Sequence, residues 1–394
     1  MNATTHTAAA SDRSRTALQN AWLIGVGVFV LIRAIGIFWL SYVGDRQGKS
    51  VRNMLSSWDG EWMLALAEHG YNSVPQRLVD AHGMHTADTA YAFFPGYPML
   101  VRAVAVPPGV SVYAAAILTS VVAGAVATVA AYRIGEWCML RARPAEDRMA
   151  QRVGLLAAVL FAAAPMSIVL TMAYTEALYC ALAGWALLMV LEKRWVAAGL
   201  LTIAAGLTRT TVVALIAVVV LAALLHWRDG WRPWAAIVLA PLGWLAWLVV
   251  VAVHAGSPMA WFRIQSNGWD TGFDAGQATW RYLRETLATN NSAGDVFTAW
   301  VILTTLVLVV LAFVTRLPWQ VSVYGAFVVA TVLLTDGLMN SRARLLLPAY
   351  VLLVPVAIGL AHRSRLTQAT VGVGVTAVSA WFGAYMLGVY PYAI

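Results

Sequence analysis

Eleven apolar runs dominate the chain, most of them near 20 residues long. That is about the length needed to cross a hydrocarbon core of roughly 30 Å as a helix. They fall near 21–42, 112–133, 153–173, 176–191, 195–208, 211–226, 234–254, 297–315, 318–335, 345–361 and 367–388. Only 11% of the residues are charged, against about 25% in a soluble domain. The fold class is therefore an all-α polytopic membrane protein, a single transmembrane domain over 21–394 behind a disordered tail over 1–20. The shorter middle runs predict tilted, broken or partly re-entrant helices.

The formal charge of +8 does not point to nucleic acid, because of where the cations lie. Arg13 and Arg15, the group Arg141, Arg143, Arg148 and Arg152, and Lys193, Arg194, Arg228, Arg232, Arg316, Arg363 and Arg365 all alternate onto one face of an eleven-span chain. Cytoplasmic loops are enriched in Lys and Arg, so that face and the N-terminus are expected in the cytoplasm. The run from Ala21 to Val43 lacks a convincing cleavage site and reads as an uncleaved first helix. The opposite, outer face collects two long loops, 43–111 and 255–296, and the acids Asp59, Glu61, Glu176, Asp270, Asp274 and Asp336. Cys138 and Cys180 have neither disulfide nor metal spacing.

Within the first outer loop, Trp62, Met63, Leu66 and Ala67 recur at helical spacing. The segment from Asp59 to His69 is thus predicted to be a helix along the membrane surface, ending at Gly70. Ser56 followed by Asp59 resembles a capping arrangement, which would put Asp59 in the first turn. That position alone can mean no more than a carboxylate complementing the helix dipole. The stretch Tyr91–Pro98 is aromatic and proline-rich, and its prolines argue against a helix beginning before about Pro98. It is either a stiff loop at headgroup level or a wall for a sugar or lipid headgroup. A second surface helix is expected in 255–296, around Gln265 and Trp269.

These segments carry a resemblance. Trp58-Asp59-Gly60-Glu61-Trp62, then Ala67-Glu68-His69-Gly70-Tyr71, then Ala92-Phe93-Phe94-Pro95-Gly96-Tyr97-Pro98 are similar to the PIG-V-type mannosyltransferases, of the GT-C superfamily of membrane glycosyltransferases. Ala164–Ser167 with Ala173–Leu178, Gly206-Leu207-Thr208-Arg209, and Ser341-Arg342-Ala343-Arg344 with Pro348 resemble further family elements, in order. Met63 and Gly96 depart from the family pattern, at positions that would alter the substrate wall rather than the acid-base group.

The resemblance implies a GT-C-like fold and an inverting transfer of mannose from a polyprenyl-phosphate donor to a lipid-linked or cell-envelope glycan acceptor. It also implies that Asp59 is the general base. One well-placed carboxylate can take the acceptor hydroxyl's proton as the new bond forms. The leaving lipid phosphate needs positive charge or donors rather than a strong acid. Arg342, Arg344 and Arg209 are the candidates to hold it, since arginine's planar fork suits phosphate, although each could equally be an interfacial anchor. Trp58, Glu61, Trp62, Phe94, Tyr97, Glu176 and Trp269 are the expected substrate contacts. Arg33, midway along the first span, should face a partner: a bundle carboxylate first, the donor phosphate second.

No cofactor and no metal are expected, and membrane lipids are the other partners. His82-x-x-His85 with Asp80 and Asp88 has ligand residue types in a polar, loop-like stretch. The chain has no glycine-rich phosphate loop, no His-Glu-x-x-His and no nucleophile elbow. An Ala-, Val- and Arg-rich, Lys-poor composition suggests a bacterial plasma membrane. Two competing readings remain open: a GT-C enzyme for arabinofuranose or hexosamine, and a non-enzymatic glycolipid transporter.

Overall fold

The computed structural model describes residues 22–289 and 291–394, so the tail expected over 1–20 lies outside the described residues. Helix α1 (described part Trp22–Gln47) is followed by α2 (Val51–Leu55), α3 (Asp59–His69), α4 (Gly96–Val104), α5 (Val112–Ala142), α6 (Asp147–Ala162), α7 (Glu176–Leu191), α8 (Trp195–Gly206) and α9 (Val212–Leu225). Then come α10 (Trp231–Leu239), α11 (Leu242–His254), α12 (Ala260–Trp269), α13 (Gln277–Ala288), α14 (Ala293–Val314), α15 (Trp319–Leu333), α16 (Arg342–Leu345), α17 (Val354–Ala361) and α18 (Arg365–Gly388). Among the described residues the only β element is an isolated bridge between Phe273 and Thr335.

Among the described residues five helices are long and apolar enough to cross a membrane: Trp22–Gln47, Val112–Ala142, Trp231–His254, Ala293–Val314 and Arg365–Gly388. Met339–Leu345 with Leu347–Ala361, bent by 56°, makes a sixth if the pair is one span. The apolar helices α7, α8, α9 and α15 are shorter. The expected run 153–173 is not one helix. It stops at Ala162 and continues through Met166, in the left-handed region at φ 59°, into a 3-10 turn over Ser167–Thr171. Pro165 is the cause: it lacks an amide hydrogen and pushes the residue before it out of helical geometry.

Long α5 packs against α1, α6 and α7. Where α5 crosses α6, small residues let the backbones approach. A Cβ on Gly135 would come within 2.9 Å of the Ala157 Cβ, and one on Gly154 within 2.9 Å of the Tyr132 carbonyl oxygen. Arg33 is buried in this layer, and its partners are not the carboxylate or phosphate expected. It donates to the carbonyl oxygens of Ala162 and Ser167 and, at 2.7 Å, to Ser167 Oγ. The break at Pro165 leaves the last carbonyls of α6 without intrahelical donors, and the guanidinium supplies them.

The two long loops meet at one end of the bundle. Ala81 N donates to Gly268 O at 2.9 Å, Gln265 Nε2 to Ala92 O at 2.9 Å, and the His82–Asp270 and His254–Asp88 pairs both stand at 3.2 Å. His82 and His85 turn to different partners, the latter to Leu78 O. Two further expectations are corrected. The second loop holds two helices, α12 and α13, rather than one. Helix α4 begins at Gly96 with Pro98 inside its first turn, where an amide has no intrahelical acceptor to lose.

Candidate active site

Asp59 opens α3, as the spacing predicted, but the cap is not the expected one. Trp58 holds the N-cap position at φ 53° and ψ −116°, with no side-chain cap hydrogen bond. Ser56 Oγ instead donates backwards to Arg52 O at 2.9 Å. A bulky residue at such a φ costs roughly 1–3 kcal/mol and persists only where its surroundings impose it. Here the turn is clamped: Gly60 N reaches Ser57 O at 3.1 Å and Glu61 N reaches Trp58 O at 3.0 Å. From across the bundle, Ala173 N donates to Leu55 O at 3.0 Å and Tyr174 Oη to Ser57 O at 3.1 Å. The loop before α7 is thereby docked on the turn before α3, which brings Glu176 near Asp59.

Arg344 joins the two acids. Its Nη2 donates to Asp59 Oδ2 at 2.6 Å, its Nη1 to Glu176 Oε1 at 2.7 Å and its Nε to the main-chain oxygen of Ile394 at 2.7 Å. Arg209, in the turn between α8 and α9, forms an ion pair with the same Glu176 oxygen at 2.8 Å and donates to Thr175 Oγ1 at 2.7 Å. Glu176 is fully buried, whereas the Asp59 side chain keeps 33% of its exposure. The Tyr174 ring lies under the Arg344 guanidinium, 5.0 Å from ring centroid to Cζ. Burial first, and then the Asp59 charge, pushes the Tyr174 phenol well above its ordinary range, so it serves as a neutral donor.

Asp59 opens onto a cavity of about 290 Å³. Arg209, Arg342 and Arg344 line it, together with the aromatic residues Phe93, Phe94, Trp261 and Trp269. The aromatic wall is braced from behind by Trp62, which stacks on Phe93 at 5.1 Å between centroids. The backbone of Gly96 explains how this wall meets Arg209. Gly96 N donates to Leu207 O at 2.6 Å, and a Cβ there would lie 2.7 Å from that oxygen.

The other expected site residues are placed as follows. Arg342 lines the cavity, but its guanidinium is directed to the main-chain oxygens of Val332 at 2.6 Å and of Thr335 and Asp336 at 2.7 Å, closing the end of α15. Tyr97 is fully buried, hydrogen bonded to Ser120 Oγ at 2.8 Å and Ala116 O at 3.0 Å, and does not line the cavity. Trp58 and Glu61 face the other side of the turn, where they line a second, polar cavity of about 770 Å³ with Arg52 and Arg77. Glu176 lies behind Arg344 and Arg209 without lining either cavity. Sequence reasoning missed Tyr174, Thr175 and Trp261. The first two directly precede Glu176 in the element Ala173–Leu178, from which only the acid was taken as a site residue, and Trp261 stands only four residues before Gln265.

The site is thus a carboxylate–arginine cluster facing a cavity under the joined long loops of a helical bundle with membrane-length helices. Over residues 39–226 the chain matches the family model described as mannosyltransferase (PIG-V). That match contains Asp59, Glu176 and Arg209 and ends before Arg342 and Arg344. Among solved structures, the fold is similar to ArnT from Cupriavidus metallidurans bound to undecaprenyl phosphate, at 14% identity and a TM-score of 0.55. That likeness covers 89% of this chain and 64% of ArnT. The apo state of the same protein matches at 16% identity and a TM-score of 0.50, covering 89% and 63%. The chain thus spans just under two thirds of the ArnT length. No curated protein matches the chain.

Proposed function

We propose that the protein is an inverting transferase that moves mannose from a polyprenyl-phosphate donor to a lipid-linked or cell-envelope glycan acceptor. The acceptor oxygen would bond to the anomeric carbon while the bond from that carbon to the phosphate oxygen breaks. Polyprenyl phosphate leaves, and the acceptor's proton passes to Asp59. One observation carries the reading: Arg344 holds Asp59 through Oδ2 alone, with no protein hydrogen bond to Oδ1 among the described residues, at the wall of a cavity that Arg209 also lines. An oriented carboxylate with one free oxygen beside two fixed cations is what proton removal and phosphate departure together require.

The size of the cavity constrains the donor. At about 290 Å³ it is at the small end for ligand sites, which run from about 300 to 1,000 Å³. A sugar phosphate headgroup fits that space and a polyprenyl chain does not, so the chain must lie outside it among the helices. The undecaprenyl phosphate bound by the ArnT structure supports a lipid of this class as the leaving group. The four-aromatic wall suits a sugar face. The positive-inside arrangement of the loops supports an extracytoplasmic site in a plasma membrane with the N-terminus in the cytoplasm.

The test is transfer by purified protein from labelled polyprenyl-phosphate mannose to a total envelope lipid extract, in competition with unlabelled polyprenyl-phosphate arabinofuranose and hexosamine. Mannose transfer that only polyprenyl-phosphate mannose suppresses is expected. Suppression by one of the other donors would reassign the sugar. Movement of glycolipid across vesicles with no new glycosidic bond would make the protein a transporter.

A further inference from the structure

Beyond α18 the backbone turns back toward the charged cluster. Val389 N and Tyr390 N both donate to Tyr385 O at 2.9 Å, while Lys49 Nζ closes the helix end at Gly388 O, 2.8 Å away. Tyr390 and Ile394 are almost wholly buried. The segment is then fastened along its length. Tyr390 Oη donates to Asp295 Oδ1 at 2.7 Å, Asn340 Nδ2 donates to Ala393 O at 2.6 Å, and Arg344 Nε donates to Ile394 O at 2.7 Å. Gly294 makes room for it, since a Cβ there would lie 2.9 Å from the Tyr390 ring.

The last of these bonds bears on the chemistry. The two Nη groups of Arg344 diverge to two different carboxylates, and its Nε has a third acceptor of its own in Ile394 O. A guanidinium is a rigid plane, so a third acceptor on Nε fixes the whole fork. With that plane fixed, Nη2 meets Asp59 at Oδ2 and leaves Oδ1 free.

We propose that residues 389–394 are a positioning element for the reaction, setting the plane of Arg344 through the Ile394 main-chain oxygen and, through Arg344, the orientation of Asp59. The inference rests on the proposed role of Asp59 but concerns a segment none of whose residues lines the cavity that Asp59 faces, although Tyr390 and Pro391 line the second one. Asn340 is the second positioning residue, because its amide anchors the preceding carbonyl.

The experiment is steady-state kinetics on the otherwise full-length protein in detergent, with labelled polyprenyl-phosphate mannose and envelope lipid extract. A variant lacking Pro391–Ile394 and the single variant Asn340→Ala are each compared with wild type, alone and combined with Arg344→Lys. A misplacement of about 1 Å can cost on the order of 100-fold in rate. The deletion is therefore expected to lower kcat at least tenfold with donor KM within twofold, and Asn340→Ala to lower it severalfold. In the Arg344→Lys background, which lacks the Nε donor, neither change should lower kcat further. Should the deletion fail to fold, Asn340→Ala and its combination with Arg344→Lys decide the matter. An unchanged kcat, or the same loss with lysine at 344, overturns the inference. If Asp59→Asn retains full activity, the underlying reading falls instead, so the two failures are distinguishable.

Discussion

Arg33 and Arg344 are both buried and both donate through their two Nη groups, yet they sit in contrasting surroundings. Around Arg33 the acceptors are the carbonyl oxygens of Ala162 and Ser167 and a serine hydroxyl, with no carboxylate among them. Around Arg344 they are Asp59 and Glu176, with one of those carboxylates opening onto a cavity. A charge placed among main-chain carbonyls completes a fold. A charge shared between two acids at a cavity wall holds a reactive group in place. Burial of a cation in a membrane bundle therefore does not mark a site by itself; the chemistry of its partners does.

The comparison breaks most visibly at Arg344. Arg344→Ala leaves two carboxylates without their shared cation, one of them fully buried, and removing one partner of a buried pair typically costs about 3–5 kcal/mol. Thermal unfolding in detergent should show a large fall in midpoint, together with loss of transfer. Arg33→Ala should destabilise by about 2–3 kcal/mol, the scale of buried carbonyls left without donors, while the kcat of the folded fraction stays at the wild-type value. Equal losses of kcat in the two variants would erase the distinction drawn between them. Arg209→Ala removes a lining cation but leaves Glu176 held by Arg344. A charge-assisted hydrogen bond of about 1.5–3 kcal/mol corresponds to a donor KM raised roughly 10- to 100-fold, read from initial rates. Gly96→Ala pushes a methyl against Leu207 O, two residues from Arg209, and should cost about 1–3 kcal/mol as overpacking. Arg77→Ala breaks a pair with Glu61 whose side chains are 69% and 50% exposed, so its effect on stability should stay within about 1 kcal/mol.

The same contrast explains what was legible in the sequence. The helix Asp59–His69 and its end at Gly70 follow from apolar spacing and one glycine, which are local signals. Arg344 was singled out from a polar notch between apolar runs, which is local as well. The partners were not legible, because Arg344 and Glu176 lie 168 positions apart and nothing in either segment names the other. Arg342, two residues from Arg344 and equally conspicuous in the sequence, turns to main-chain oxygens at the end of α15; that choice is made by a helix end and not by the arginine. The break after Ala162 was hidden by its own composition. Ala163-Ala164-Pro165-Met166 reads as continuous apolar sequence, and only the proline's missing amide stops the helix. Main-chain acceptors such as Ile394 O leave no residue-type signature at all, so the C-terminal contribution to the cluster was invisible until the backbone was placed.

The most direct measurement is the turnover of Asp59→Asn. The amide keeps the size of the carboxylate and an oxygen for Arg344 Nη2, but it cannot accept the acceptor's proton. General-base removal typically costs about 100- to 10,000-fold. Protein that unfolds at or near the wild-type temperature and transfers labelled mannose at least 100-fold more slowly is the predicted result. A well-folded Asp59→Asn protein that transfers mannose at the wild-type rate would contradict the account.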